Sequence, residues 1–284
     1  FFSASMWVGQ QLADGLDFWG FLGSLILGGI ILGIYTGLLG YVGAKTGLSL
    51  DLLSQRAFGE KGSYLPSAMT SFTQIGWFSV GSFVSGGTAT PNFARFARNG
   101  KAGAITTIVA FFIGNSLMFF FGAVSSIFVG GNDIFEVMVR LNLFYLAVLV
   151  LGLNIWTTND NALYTAGLGL ANIFHQKKKP MVLLSGIIGT VASVWLYYNF
   201  CGWLNILNCT LPPVGMILVL AYFMNKEDFE TDQPKLKTID WFAVAGVILG
   251  AIVANLLHWG IASINGMVVA AVCYCVGQAV NKRK

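Results

Sequence analysis

The stretch Gly152–Asn161, GLNIWTTNDN, interrupts a long run of apolar residues. On a helix, four of its polar residues share one face at spacings of three and four; they are Asn154, Thr157, Thr158 and Asn161. In hydrocarbon a polar side chain is costly unless it is paired, and clusters of them usually mark the path of a substrate or an ion. Hydrogen bonding between helices is the alternative. Four such residues on one face favour a site.

The composition predicts a membrane protein built from helices. Only 10% of the 284 residues are charged, whereas 56% are hydrophobic. Several charge-free runs are long enough for one or two spans of about 20 residues each. They are Phe18–Ala44, Ala102–Asn132, Pro180–Asn225 and Trp241–Asn281. Because these runs are apolar all round and do not alternate, we predict an all-α polytopic membrane protein and not a barrel.

The basic residues predict the orientation. Fifteen of the sixteen Lys and Arg residues lie in five loops or ends: Lys45–Lys61, Arg95–Lys101, Lys177–Lys179, Lys226–Lys237 and Lys282–Lys284. Basic residues in alternate short loops indicate the cytoplasmic side. The net charge of +4 is therefore explained without nucleic acid, which is not expected as a partner. We predict a multi-pass membrane protein with these loops and the C-terminus in the cytoplasm.

One segment does not fit this alternation. Two basic loops enclose Gly62–Ala94, and those 33 residues exceed one span but fall short of two. A re-entrant hairpin is one explanation, and a block left out of the chain is the other. The change in composition between Gly81 and Ser82 favours the omitted block. The chain also opens on Phe1 as if in mid-helix, so we expect a missing start and a single transmembrane domain over residues 1–284.

Two further stretches are candidates for a binding site. Ser82–Pro91, SFVSGGTATP, predicts a broken helix, because its glycines and proline free backbone groups for other bonds. A loop at the interface is the alternative. Gln74 and Trp77 share a face of the predicted helix Tyr64–Gly81, and an amide beside a large ring suits a planar heterocycle. Ordinary packing is the alternative for either residue alone. Phe83 is placed to supply the opposite wall.

Other features predict structure and not chemistry. We expect Gly29, Gly33 and Gly37 to pack helices closely, Leu48–Phe58 to lie along the cytoplasmic surface, and outside loops at Asn132–Arg140 and Cys201–Pro213. No His, Cys or Ser adjoins a general base and no metal pattern occurs, so neither an enzyme nor a cofactor is expected. Asp160 is the lone intramembrane carboxylate. It lies off the polar face, and we expect a structural role for it.

Six segments resemble the bacterial nucleobase–cation symporters, the family that includes the cytosine permeases. They are Phe1–Trp7, Leu39–Leu48, Gln74–Phe78, Phe112–Phe119, Leu151–Tyr164 and Gly186–Thr190. The resemblance implies the broken-helix fold of the leucine transporter, with twelve spans built from two inverted five-helix repeats and two terminal helices. About ten spans are wholly or partly present here. Spans four and five, with the end of span three and the start of span six, would then be missing at the join between Gly81 and Ser82.

The resemblance also implies a site. The base would stack between Trp77 and Phe83, with hydrogen bonds from Gln74, Asn154 and the backbone of Ser82 and Ser85. A sodium ion would lie between the unwound backbone near Phe2 and the face formed by Asn154, Thr157 and Thr158.

The function implied is sodium-coupled import of cytosine by alternating access, carried out by a monomer surrounded by membrane lipid. Purines, allantoin or hydantoins are the alternative cargoes, and protons are the alternative coupling ion. A channel, which would need rings of like polar residues, and an intramembrane enzyme are the rivals from other classes.

Overall fold

A computed structural model describes residues 6, 9–10, 12, 15–80, 88–130, 134–231, 234, 236–257 and 259–281. For a few helix positions, Trp77 among them, it describes the backbone alone. Every regular element within these ranges is a helix, which confirms the all-α prediction.

The described helices follow one another with short connections. In chain order they are α1 (Phe18–Thr46), α2 (Leu50–Phe58), α3 (Tyr64–Val80), α4 (Pro91–Ala94), α5 (Gly100–Ile108), a π-helical segment (Val109–Gly114), α6 (Asn115–Val129), α7 (Ile134–Arg140), α8 (Phe144–Phe174), α9 (Lys178–Tyr198), α10 (Phe200–Met224), α11 (Lys226–Glu230), α12 (Trp241–Leu256) and α13 (Ala262–Asn281). Within the described chain, five helices are long and apolar enough to cross a membrane. They are Phe18–Thr46, Gly100–Val129, Lys178–Leu196, Asn205–Met224 and Ala262–Asn281. The chain therefore has the build of a multi-pass membrane protein.

Glycines bring α1 against α5 and the π-helical segment, as predicted. A Cβ on Gly29 would lie 2.8 Å from Cδ2 of Phe112, and one on Gly37 would lie 2.6 Å from Cγ1 of Ile108. Side chains at these two positions would push the helices apart. α1, α4, α5 and α6 form the first of three helix groups, called here the α1 group.

The second group, called the α8 group, contains α3, α8 and α9. Ser71 of α3 donates to the carbonyl of Ala166 at 3.2 Å, and a Cβ on Gly169 would lie 2.1 Å from the Ser71 hydroxyl. A Cβ on Gly167 would lie 2.2 Å from Cγ2 of Val182 on α9. These two glycines, two residues apart and therefore on different sides of the helix, let α8 approach both of its neighbours.

The third group, called the α10 group, contains α10, α12 and α13. Here the predicted turn Cys201–Pro213 is wrong, because α10 is helical from Phe200 to Met224 and the actual turn is at Asn199. Pro212 has no N–H to donate to the carbonyl of Asn208 four residues earlier. Ser263 of α13 donates to that carbonyl instead, at 3.1 Å, so the helix continues through the proline pair.

Two short segments also differ from the prediction. α2 does not lie on the surface: Leu50, Leu53 and Phe58 are fully buried against the α10 group. The hydrophobic pattern that suits a membrane surface suits a protein core equally well, which is why the sequence did not distinguish them. Asn132–Arg140, expected as a loop, contains the short helix α7, which an ion pair between Glu136 and Arg140 supports.

Four of the five basic segments meet at one end of the molecule, called here the basic end. Lys45 lies 3.9 Å from Glu230, and the N–H of Lys61 donates to the carbonyl of Thr238. Arg95 and Lys178 both contact Tyr164. Arg95 donates to the Tyr164 hydroxyl, and the Lys178 ammonium lies over the Tyr164 ring. The last basic segment, Lys282–Lys284, lies outside the described residues.

Candidate functional site

The stretch Gly152–Asn161 is continuous helix within α8, as predicted. Thr157 is exposed, and its hydroxyl is directed at its own helix, toward the carbonyls of Leu153 at 3.2 Å and Asn154 at 3.0 Å. Because the proton of Thr157 is used in this way, the oxygen lone pairs face outward as acceptors. An oxygen acceptor of this kind suits a hard cation.

The neighbours of Thr157 lie at intermediate depth. Asn154 and Thr158 are half-buried, whereas Asp160 and Asn161 are exposed. Asp160 is therefore not enclosed together with Asn154 and Thr158, and the structural role expected for it stays a prediction. Within the described chain, no group of His, Cys, Asp and Glu residues has the arrangement of a metal centre. The side-chain oxygens that Asn154, Thr157 and Thr158 carry at this face are neutral.

Gln74 of α3 is buried, with 7% of its surface exposed. The contact of Ser71 with Ala166 fixes the register of α3 against α8. Gln74 lies one turn beyond Ser71, and Asn154 lies twelve residues before Ala166. At 1.5 Å per residue, the two antiparallel helices place Gln74 and Asn154 roughly 13 Å apart along the helix axis. A ligand that contacts both amides must therefore lie between the level of Gln74 and the level of Asn154 along the helix axis.

Several predicted residues cannot be placed. Phe2, Ser82, Phe83, Ser85 and the side chain of Trp77 lie outside the described residues. Their contribution to a site stays a prediction.

The described chain resumes at Thr88 and is anchored there to its neighbours. The Thr88 hydroxyl is hydrogen-bonded to Tyr35 of α1 at 2.8 Å. The side-chain oxygen of Asn92 accepts from the N–H of Leu50 at 2.7 Å. The end of the predicted broken segment is thus attached to α1 and α2.

The structure also shows a buried polar cluster that the sequence reading missed. Ser67 donates to Oδ1 of Asp51 at 2.6 Å, and Asn172 donates to Ser67 at 2.8 Å and to Ser63 at 3.1 Å. Gln55 completes the chain by donating to Oδ1 of Asn172 at 2.6 Å. These five residues, Asp51, Gln55, Ser63, Ser67 and Asn172, are called the Asp51 cluster. It lies at the basic end and joins α2, α3 and α8.

Burial has the largest effect on the pKa of Asp51 in this cluster. Asp51 is only 5% exposed, and its burial raises the pKa to about 6, although the Ser67 hydrogen bond and the positive charge of Arg95 act to lower it. A carboxyl with such a pKa changes charge near neutral pH.

A sequence signal for the cluster did exist. Ser63, Ser67 and Ser71 recur every four residues, which in helical geometry places three hydroxyls on one face. Asp51 and Gln55 are likewise four residues apart on α2. The two patterns belong to different helices, and only tertiary structure shows that they face each other.

The fold and these sites define a class of protein. A multi-span helical protein with a polar face on α8 and a second polar cluster near one end has the features of a membrane transport protein. The sequence model of one family, the permeases for cytosine/purines, uracil, thiamine and allantoin, matches residues 1–90 and 79–280. The chain belongs to this permease family, which is a family of transporters.

Named relatives agree with the family match. The chain is 36% identical to the cytosine permease of Escherichia coli strain K12 over 377 aligned positions, which cover 100% of this chain and 89% of the relative. The cytosine permeases of the O6:H1 and O157:H7 strains match to the same extent. The alignment is longer than the 284 residues of this chain, so the relatives contain internal positions that it lacks.

Proposed function

We propose that this protein is a sodium-coupled importer of cytosine that works by alternating access in the bacterial inner membrane. The observation that carries the proposal is the match along the whole chain, at 36% identity, to permeases named for cytosine. In the proposed orientation the basic end faces the cytoplasm, because basic loops are retained on that side. The proposed working unit is a monomer in contact with membrane lipid.

The proposed cargo site lies between α3 and the segment before Thr88. The base would stack between Trp77 and Phe83, while Gln74, Asn154 and the backbone of Ser82 and Ser85 would hydrogen-bond its edges. The burial of Gln74 supports this role, because a buried amide discriminates strongly between donor and acceptor patterns. The offset between Gln74 and Asn154 along the helices is consistent with a ligand held between them.

The proposed sodium site uses the polar face of α8. Asn154, Thr157 and Thr158 would supply oxygens, together with the backbone near Phe2. The direction of the Thr157 hydroxyl supports this assignment, since its lone pairs are available to a cation. Asn154 belongs to both proposed sites, so sodium and base would each favour the state in which that side chain is ordered.

The fold that we propose is that of the leucine transporter. In that arrangement the internal positions that the relatives have and this chain lacks correspond to spans four and five, at the join between Gly81 and Ser82. The family match is divided into two overlapping stretches at this place, which supports the proposed position of the join.

Uptake of radiolabelled cytosine by proteoliposomes, with and without a sodium gradient, tests the proposal. We expect saturable uptake that requires inward-directed sodium and that unlabelled cytosine abolishes. Uptake driven equally well by a proton gradient without sodium would show that sodium is not the coupling ion. Failure to saturate would favour a channel, and recovery of a chemically altered base would favour an enzyme.

A different cargo is the second candidate, because the family to which the chain belongs also includes permeases for purines, uracil, thiamine and allantoin. Competition by each of these compounds and by a hydantoin separates the two candidates. Cytosine is the cargo if it competes at the lowest concentration. If another compound does, it replaces cytosine and the sodium test is repeated with it.

A further inference from the structure

The helix α2 connects two of the three helix groups at the basic end. Its apolar side chains, including Leu53 and Phe58, are buried in the core of the α10 group. Two of its polar side chains, Asp51 and Gln55, belong to the Asp51 cluster. There Asp51 accepts from Ser67, and Gln55 donates to Asn172, so both bonds go to the α8 group.

The α1 group reaches the same place through two hydrogen bonds of its own. Asn92, which is completely buried, accepts from the first N–H of α2 at Leu50. Arg95 donates to the hydroxyl of Tyr164 on α8. Side-chain hydrogen bonds therefore join the α8 group to α2 and to the α1 group at this end: Asp51 to Ser67, Gln55 to Asn172, and Arg95 to Tyr164.

We propose that the Asp51 cluster, together with the link between Arg95 and Tyr164, is a lock that keeps the basic end closed and must open for cargo to leave there. The proposal rests on the transport function proposed above. A carrier that alternates its access must separate helices at one end while holding them at the other. These three hydrogen bonds join the α8 group to α2 or to Arg95, so separation of these elements at the basic end breaks them.

The charge of Asp51 gives the lock a pH dependence of definite sign. Among the described residues, the neighbours of Asp51 from α3 and α8 are neutral, and Arg95 is the charged group that acts on it. Arg56, also on α2, donates to the Asp228 carbonyl on the side of α11. Burial makes the closed cluster bind a proton more tightly than an opened, hydrated one does. Acid therefore favours closure, and a rise in pH through about 6 favours opening.

Reversible cross-linking tests the lock. The four native cysteines are first replaced by alanine, and Gln55→Cys is combined with Asn172→Cys. A short bifunctional thiosulfonate joins the pair, because the two side chains are too long for a direct disulfide to fit in their place. The control pair, Tyr64→Cys with His175→Cys, also lies at the basic end and is in contact, but both residues belong to the α8 group.

We expect the Gln55–Asn172 cross-link to reduce cytosine uptake to below about a tenth of that of the same protein after reduction, because alternating access is blocked. Equilibrium binding of cytosine should persist, and the control cross-link should leave uptake unchanged. Uptake that survives the Gln55–Asn172 cross-link, or that is lost equally in both pairs, overturns the lock.

A second measurement keeps the lock separate from the choice of cargo. Spin labels at Arg56→Cys on α2 and Phe174→Cys on α8 report the separation of the two helices in purified protein without ligand. Ser67→Ala combined with Asn172→Ala removes the two hydrogen bonds to α2 and leaves the charge of Asp51, so it should add a population at longer distance. An unchanged distance distribution would contradict the proposed lock. If wild type binds no nucleobase, the proposed function is wrong. The distance between the two spin labels still tests whether the lock exists.

Discussion

Thr158 illustrates what single residues of the polar face are expected to do. Its hydroxyl is one oxygen among several that would surround sodium, whereas it has no proposed contact with the base. Thr158→Ala should raise the sodium concentration that gives half-maximal uptake about tenfold, since one bond to a charged group contributes roughly 1.5 kcal/mol. Base selectivity should be unchanged, and Thr158→Ser should restore the sodium dependence. An equal loss of uptake at every sodium concentration would contradict this role.

Substitutions at Gln74 and Trp77 should change base binding in different ways. Gln74→Ala should abolish discrimination among bases, because the amide is the group that reads donors and acceptors. Trp77→Ala should weaken binding of every base by about tenfold, because base stacking on an aromatic ring contributes roughly 1–3 kcal/mol. Inhibition constants for a panel of bases measure both effects. Thr73→Ala is a matched control, since the Thr73 hydroxyl donates to the carbonyl of Met69 in its own helix. Unchanged cytosine uptake in both variants would exclude the proposed cargo site.

Asp51 should make the stability of the protein depend on pH. Its pKa of about 6 in the folded protein lies above the usual value, so the folded state binds the proton more tightly and loses this stabilisation as the pH rises from about 4 to 6. Asp51→Asn, which stays neutral, should therefore have a higher melting temperature than wild type at pH 8. The difference should shrink by several degrees when both are measured near pH 4. A difference that does not vary with pH would show that the charge of Asp51 is not the cause.

At the scale of the elements, the sequence predicted the long helices well and their ends and environments less well. α1, α3, α8 and the span at Gly100–Val129 were predictable because about twenty apolar residues with polar ends have few alternatives in a membrane. α10 was not, because Pro212 and Pro213 usually end a helix in water. Whether they do so here depends on Ser263, which is fifty residues away in the chain.

The candidate site was predictable only in part for a similar reason. The polar face of α8 repeats along one helix, so its periodicity shows in the sequence. The Asp51 cluster is assembled from three helices, and each contributes residues that look ordinary alone. The link between Gln55 and Asn172 spans more than a hundred residues, so no local pattern indicates it.

The bond from Ser263 to Asn208 provides a test at this scale. Ser263→Ala leaves the Asn208 carbonyl without a partner, which should reduce the free energy of unfolding by about 1–2 kcal/mol. Pro212→Ala restores the N–H that this carbonyl lacks, so adding Ser263→Ala to it should cost little. Ser193→Ala is the control, because the Ser193 hydroxyl bonds to the Thr190 carbonyl of its own helix. Costs that simply add in the double variant would show that Ser263 does not compensate for the proline.

At the scale of the whole molecule, the proposed sodium site and the proposed lock lie at different levels of α8. The polar face of α8 begins near Asn154, whereas Asn172 of the Asp51 cluster is eighteen residues farther along the same helix, roughly 27 Å away. α8 therefore runs from the proposed sodium site to the lock. A movement of the α8 group that orders Asn154 around its ligands would change the separation at Asn172 as well, which gives a physical route from cargo binding to opening.

This arrangement requires the basic end to face the cytoplasm, and labelling of intact cells tests that requirement. Lys179 is exposed at the basic end, and three helices of the chain, α9, α10 and α12, separate it from Trp259, which is 81% exposed. In a background without the native cysteines, Trp259→Cys should react with a membrane-impermeant maleimide added outside, whereas Lys179→Cys should react only after the cells are permeabilised. Leu141→Cys, in the connection between α7 and α8, should behave as Trp259→Cys does. The reverse pattern would place the Asp51 cluster at the outer face, where the lock would control the entrance of cargo and not its release.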